Sequence, residues 1–324
     1  MSIHKVDVIR IDKIEPHPNA DRLGIVRVGG FVCVVGLDSW PENALACYIQ
    51  PDSLVDTRRP EFAFLRNAEK NRDFERIRVK KLRGVYSQGL LIPAPEGLKE
   101  GDDAAEMLEV THYEPPLQVT GGESEPTPAG VFNHSYDVEN YNRFLGLFND
   151  GEEVIASEKI HGSSLKAAWT DNRLYVGSRN EWKKESDNIY WLGVRKYPQI
   201  VDFLKAHPNY MVFGEVYGRV QSLHYGLDND VDLRLFDIAY GNQWLGWDES
   251  QSMAEEWKLP WVPMLYRGPF DEEYLRKIAE GDSALPNAKH LREGIVVKPV
   301  VERTTLELGR VQLKIISNRY LEKS

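Results

Sequence analysis

Residues 157–164 read Ser157-Glu158-Lys159-Ile160-His161-Gly162-Ser163-Ser164. An apolar run, 154–156, precedes them and predicts a strand. A second run, 165–170, follows Gly162 and predicts another. Glu158 and Lys159 thus stand between the end of a strand and a glycine turn. That placement aims side chains at a pocket and lets a second backbone or a ligand come close at Gly162. A lysine so placed is a candidate nucleophile. It must lose its proton near neutral pH, which cationic neighbours or desolvation achieve by penalising the ammonium form. An isolated Lys-x-x-Gly is more often a surface charge, so the surroundings decide its meaning.

Four further segments share one character. Phe213-Gly214-Glu215 closes an apolar run. Leu235-Phe236-Asp237-Ile238 puts a carboxylate inside a buried strand. Glu293-Gly294-Ile295-Val296-Val297-Lys298 has a charge at each end. In 311–316, Gln312 and Lys314 share one face at period two, and Leu313 and Ile315 the other. Charge is costly inside apolar strands unless it is paired or bound to ligand. Four such strands predict a polar site between sheets. A strand at 173–178 and helices at 198–205, 249–257 and 271–280 complete a mixed α+β reading.

In this order, the segments resemble the covalent nucleotidyltransferases, the superfamily of polynucleotide ligases and capping enzymes. Glu-Lys-Ile-His-Gly, Phe-Gly-Glu and Glu-Gly-Ile-Val-Val-Lys are similar to the RNA ligases of the phage T4 ligase 2 type. The resemblance implies ATP as cosubstrate and Mg²⁺ or Mn²⁺ as cofactor. It implies that Lys159 forms a lysyl-AMP intermediate and that Glu158, with the backbone at Ile160, meets adenine. Ser178-Arg179 matches the family's short Ser-Arg motif, with Arg179 near the ribose or the reactive strand end. Glu215 would bind the ribose, Phe236 would stack on adenine, and Glu293 would hold the metal. Lys314 and Lys298 would contact ATP phosphates. Three positions depart from the pattern. Gln312 stands for a lysine, Ser164 for asparagine, and His161 for the aspartate of other ligases.

Residues 5–110 read as short strands at 5–14, 24–28, 31–36, 44–49, 77–82 and 89–92, with a short helix at 104–108. Gly29-Gly30 predicts a hairpin turn. Together they suggest a small β-barrel or sandwich. His17-Pro18-Asn19-Ala20-Asp21-Arg22-Leu23 and the later Lys81-Leu82-Arg83-Gly84-Val85-Tyr86 resemble the OB-fold module on some tRNA synthetases. The likeness extends to the Deinococcus-type RNA ligases, in which an OB-like domain precedes the ligase domain. The expected organisation is an OB-like domain at 1–112, a Pro/Gly-rich linker at 113–130 and an adenylyltransferase domain with ATP-grasp-like antiparallel sheets at 131–324.

The chain carries 40 Lys+Arg against 50 Asp+Glu, a formal charge of −10. Between 58 and 83, ten basic residues meet four acidic ones. This local excess makes Arg76, Arg78, Lys80 and Lys81 candidate nucleic-acid contacts. There is no Gly-x-x-x-x-Gly-Lys-Ser/Thr, no Cys-x-x-Cys and no His-Glu-x-x-His, which argues against P-loop hydrolysis and zinc chemistry. No apolar run reaches the ~18 residues of a membrane span. Charge near the start, and two cysteines in apolar surroundings, predict a cytoplasmic protein with reduced thiols. The expected partner is RNA, or a nicked duplex containing it, handled by a monomer. The expected reaction seals a 3′-hydroxyl to a 5′-phosphate. A DNA ligase, another covalent nucleotidyltransferase and a non-catalytic nucleic-acid-binding relative remain the alternatives.

Overall fold

The computed structural model describes residues 4–41, 43–66, 72–113, 122–134 and 136–323. They fall into two compact units: 4–113 with 141–145 and 318–323, and 122–140 with 146–317.

The first unit is built of short antiparallel strands. Leu45–Ile49 lies between Asp7–Arg10 and Leu90–Pro93, and Leu23–Val28 lies between Glu15–Pro16 and Phe31–Gly36. The Gly29-Gly30 turn forms as expected, with Val28 opposite Phe31. Gly29 has φ +54°, and a Cβ on it would meet the Asn142 carbonyl oxygen at 2.7 Å. Cys47, Ile49, Val55 and Phe62 centre one core; Val26, Phe31, Cys33 and Tyr48 centre another. Both cysteines are free and buried, and burial pushes the Cys33 thiol up to about 12 and the Cys47 thiol to about 11.

Two expectations for this unit need correction. Residues 104–108 form a single hydrogen-bonded turn, Leu108 N–H to Ala104 O, and no helix. Asp103 Oδ1 accepts from Ala105 N–H as a cap would, but Glu109 turns to φ +53° and the chain reverses. Of the run 77–82 only Lys80–Leu82 is strand, and a separate strand, Phe74–Arg76, precedes the run. Phe74–Arg76 pairs with Ser53–Asp56, and Lys80–Leu82 pairs with Val85–Ser87. Ile77 and Val79 between them are buried, so alternating burial continues across a change of partner.

The second unit has eight principal strands: β1 (Glu153–Lys159), β2 (Ser163–Thr170), β3 (Arg173–Ser178), β4 (Tyr210–Gly218), β5 (Val231–Tyr240), β6 (Met264–Pro269), β7 (Gly294–Pro299) and β8 (Leu313–Ile316). Among the described residues they make two sheets. The seven-stranded one runs Ser124–Glu125, Trp182–Lys183, β3, β2, β4, β5, Gln243–Trp244. The five-stranded one runs Glu139–Asn140, β8, β7, β1, β6. Of the stretch 113–130, residues 114–121 lie outside the described residues, and Ser124–Glu125 is an edge strand of the larger sheet.

Helices α1 (Ile189–Arg195) and α2 (Pro198–Ala206) cover one face of the larger sheet. Ile200, Phe203 and Leu204 pack there with Leu165, Ala167, Val212 and Leu233. By alternation, Ser164 and Lys166 of β2 and Phe213 and Glu215 of β4 take the opposite face. α3 (Trp247–Glu256) and α4 (Glu272–Ala279) match the expected helices to within a few residues. Asp271 caps α4 by accepting from Tyr274 N–H at 2.9 Å. α1 and β6 were not expected. The seven residues of α1 are too few to show a period, and its start is fixed by Asn188, whose Oδ1 accepts from Tyr190 and Trp191 N–H. β6 is half exposed and has no buried run. No described helix is long and apolar enough to cross a membrane.

Candidate active site

The stretch 157–164 carries the chain from one sheet to the other. β1 lies in the five-stranded sheet and β2 in the seven-stranded one, joined by 160–162. Only glycine fits at 162, because a Cβ there would meet the Val216 carbonyl oxygen at 2.1 Å. Ile160 is buried and anchors the crossing in a core with Ile155 and Tyr225. The His161 N–H donates to the Tyr225 hydroxyl at 2.7 Å.

Lys159 is opposite Gly294 in the β1–β7 pairing, which sets Glu293 beside it. Lys159 Nζ lies 2.7 Å from Glu293 Oε1, and the lysine side chain keeps 24% exposure. Burial acts to lower the Lys159 pKa, but the charges of Glu293 and Glu215 outweigh it and hold the ammonium above its ordinary value. Burial acts to raise the pKa of Glu293, but Lys159 and His161 bring it down to about 2. Lys159 and Glu293 are thus a tight ion pair. The expectation that neighbours depress the pKa of Lys159 is reversed here, because the nearest neighbour is an anion.

Glu215 on β4 faces Ser164 on β2, whose hydroxyl donates to Glu215 Oε2 at 3.2 Å. Burial pushes the Glu215 carboxyl up to about 7. Lys314 on β8 pairs with Val296 of β7. It has no carboxylate partner among the described residues. Its pKa is lowered by burial and then by the charge of Lys159. Glu158 is 2% exposed. Its Oε2 accepts from Ala284 N–H at 2.7 Å, while Oε1 is buried without a partner. Such an orphaned acceptor fits an amino group of a ligand. Arg179 pairs with Asp137 at 3.1 Å and keeps 40% exposure. The Phe236 ring lies 5.0 Å from that of Tyr136.

One expected contact is placed elsewhere. Lys298 is 3% exposed and its ammonium is bound to Asp237, so it is not free for phosphates. Asp237 also accepts from Tyr136 and from Arg310, whose Nη2 is 2.8 Å from Oδ1. Burial would raise the Asp237 carboxyl, but Arg310 and Lys298 hold it at about 2. Arg310 pairs in turn with Glu302, so two cations and two anions form a closed buried network. Gln312 is occupied as well: Tyr136 donates to its Oε1 at 3.2 Å, and its Nε2 donates to Asp137 O. Neither Tyr136 nor Arg310 carries a motif signal.

No group of three or more His, Cys, Asp or Glu gathers to hold a metal among the described residues. Glu293 nonetheless fits one. Its Oε2 is buried without a hydrogen-bond partner, with His161 Nδ1 at 3.4 Å. One carboxylate suits a hard cation that keeps its waters and takes substrate phosphate as its other ligands.

In the first unit the basic stretch divides in two. Arg76 pairs with Asp52 at 2.6 Å and lies over the Tyr113 ring, so it belongs to the fold and is not free for nucleic acid as expected. Arg58 and Arg59 pair with Asp56, Glu61 and Glu109. Lys70 lies outside the described residues. Arg78, Lys80, Lys81 and Arg83 are exposed and have no carboxylate partner among the described residues. The last three occupy the hairpin of Lys80–Leu82 and Val85–Ser87, turned by Arg83 at φ +48° and Gly84 at φ +97°. The His17 motif holds this turn: Asn19 Nδ2 donates to Arg83 O at 3.0 Å, and His17 Nε2 bonds Leu82 O at 3.1 Å.

Strand order, a crossing that bears a lysine, and carboxylates from both sheets define a nucleotidyltransferase-type cleft. The RNA ligase family model matches residues 152–316, and an OB-fold domain model matches residues 5–94. The chain belongs to the RNA ligase family. Its first unit is OB-like and β-rich, and its second is a mixed α/β nucleotidyltransferase domain. Among solved structures it is similar to a Naegleria gruberi RNA ligase mutant with AMP and Mn, at 26% identity and TM-score 0.82, covering 99% of each chain. A mutant of the same ligase with ATP and Mn matches at 25% identity and TM-score 0.81, covering 98% of each chain. The Naegleria ligase with PPi matches at 26% identity and TM-score 0.80, over 99% of this chain and 98% of that one. The comparison with curated proteins gave no match.

Proposed function

We propose that this protein is an ATP-dependent ligase that seals the 3′-hydroxyl and 5′-phosphate at a nick in an RNA-containing duplex. The observation that carries the reading is the Lys159–Glu293 ion pair at the sheet crossing, with Glu215 and the unpaired Lys314 around it. ATP, AMP, PPi and Mn in structures of a ligase of the same fold support the choice of cosubstrate and metal.

In the first step the Lys159 amine attacks the α-phosphorus of ATP. The bond to pyrophosphate breaks and a phosphorus–nitrogen bond forms. The displaced ammonium proton leaves to solvent through the exposed rim of the side chain. Lys314 stabilises charge on the departing phosphates. Ser164 keeps Glu215 turned towards the ribose, and the orphaned Glu158 oxygen accepts from the adenine amino group. Glu293 would hold a divalent cation, which would supply charge stabilisation at the phosphate; so engaged, the Glu293 carboxylate would no longer hold the proton on Lys159. In the second step an oxygen of the RNA 5′-phosphate attacks the same phosphorus. The phosphorus–nitrogen bond breaks, and Lys159 takes up a proton. In the third step the 3′-hydroxyl attacks the activated 5′-phosphate and AMP departs.

The hairpin bearing Lys80, Lys81 and Arg83 tracks the RNA backbone as a set of exposed, unpaired cations. The test is sealing of a nicked duplex with RNA at the 3′-hydroxyl, in ATP and Mn²⁺. Ligated product is expected. Sealing only of all-DNA nicks would replace the RNA reading with a DNA one.

A further inference from the structure

Lys166 is a buried cation that the preceding steps do not use. It is 2% exposed, yet it has no carboxylate partner among the described residues. Its Nζ reaches Asn133 Oδ1 at 3.5 Å and the Arg179 carbonyl at 3.3 Å, both long, and it stands 4.7 Å over the Trp182 ring. Burial lowers its pKa. An ammonium out of water and without a counter-ion costs folding free energy. Among the described residues the other buried lysines and arginines are compensated: Lys298 by Asp237, Lys183 by Glu181, and Arg292 by two backbone carbonyls.

Lys166 lines a narrow cavity with Ser164, Arg179, Tyr136 and Phe236. The cavity admits a single oxygen, not a nucleoside. On β2, Lys166 lies two residues, roughly 7 Å, past Ser164 and away from Lys159. Lys314 lies on β8, beside the β7 strand whose start sets Glu293 against Lys159, whereas Lys166 lies on β2 in the other sheet. Lys166 is thus placed for an anion other than the α-phosphate and pyrophosphate at Lys159 and Lys314. The backbone of Arg179 joins Lys166 to the Ser-Arg segment.

We infer that Lys166 binds the 5′-phosphate of the RNA strand to be joined and, with Arg179, holds it for attack on the lysyl-AMP. This rests on the ligase reading above. Lys166 makes and breaks no bond; its ammonium supplies the counter-charge that the cavity lacks.

The test uses the full chain with Lys166→Met and Lys166→Gln. Lys166→Met removes a charge without stranding another, so its Tm should equal or exceed that of the wild type. The decisive readout is the affinity for a nicked duplex ending in 5′-phosphate against one ending in 5′-hydroxyl. Wild-type protein should favour the phosphate by roughly ten- to hundredfold. Both variants should reduce that preference to about twofold while binding the 5′-hydroxyl duplex as wild type does. AMP transfer from the enzyme to RNA should slow by about a hundredfold, with labelling of Lys159 by ATP little changed. An unaltered phosphate preference would overturn the inference. So would a large fall in Tm in both variants, which would make the ammonium part of the fold. Failure of the wild type to label with ATP would instead strike the ligase reading, and the binding preference would still judge Lys166.

Discussion

Lys159 and Glu293 meet at 2.7 Å because Lys159 is the β1 partner of Gly294 at the start of β7. Backbone pairing alone brings the lysine to its carboxylate. The pair favours the protonated form of Lys159.

Glu293→Gln should therefore have two opposite effects. Without the anion, the Lys159 pKa falls, and acylation of Lys159 by a small anhydride, followed against pH, should rise at lower pH than in wild type. Adenylylation by ATP should fall at the same time, because a neutral amide is a poor ligand for a hard cation. An unchanged acylation profile would separate Glu293 from the control of Lys159.

Glu215 makes stability depend on pH. Its pKa is raised from about 4.3 in the unfolded chain to about 7 in the fold. Its contribution is full below the unfolded value and is lost as pH rises through about 7. The loss amounts to roughly 3–4 kcal/mol. Glu215→Gln should flatten the fall in Tm between acid and mildly alkaline pH. Parallel Tm curves for the two proteins would remove Glu215 as the cause.

Asp237 compensates two buried cations. Asp237→Asn should destabilise the protein by about 3–5 kcal/mol, because Lys298 and Arg310 would be left with an uncompensated charge. Adding Lys298→Met to that variant should restore part of the loss. Denaturant unfolding of the single and double variants checks the coupling.

The basic stretch should split into two behaviours. Replacing Lys80, Lys81 and Arg83 by alanine should leave Tm nearly unchanged and reduce the slope of log K against log salt by roughly 0.7–0.9 per lost phosphate contact. Arg76→Ala should lower Tm instead, since it strands Asp52. Equal effects on the salt slope would contradict the division.

Much of the site was legible because charges that interrupt apolar strands are conspicuous. Lys159, Glu215, Glu293 and Lys314 stand out in this way, and the structure gathers them at the sheet crossing. The fate of Lys298 was hidden, because its partner Asp237 lies on another strand and only the fold joins them. Arg76 was misread for the same reason: Asp52 pairs with it across a sheet. Lys166 was hidden by its neighbours. In Leu165-Lys166-Ala167-Ala168 it reads as an ordinary solvated position, and its burial comes from packing against Trp182. Short strands and the turn at 104–108 were resolved poorly, because few residues carry each pattern.

The most direct measurement is the mass of the intact protein after incubation with ATP and Mn²⁺, with peptide mapping of any adduct. A gain of one AMP is expected, located on Lys159, released by pyrophosphate and absent from Lys159→Ala and Lys159→Arg, whose guanidinium stays protonated. An adduct on another residue, or an undiminished adduct in Lys159→Ala, would contradict that expectation.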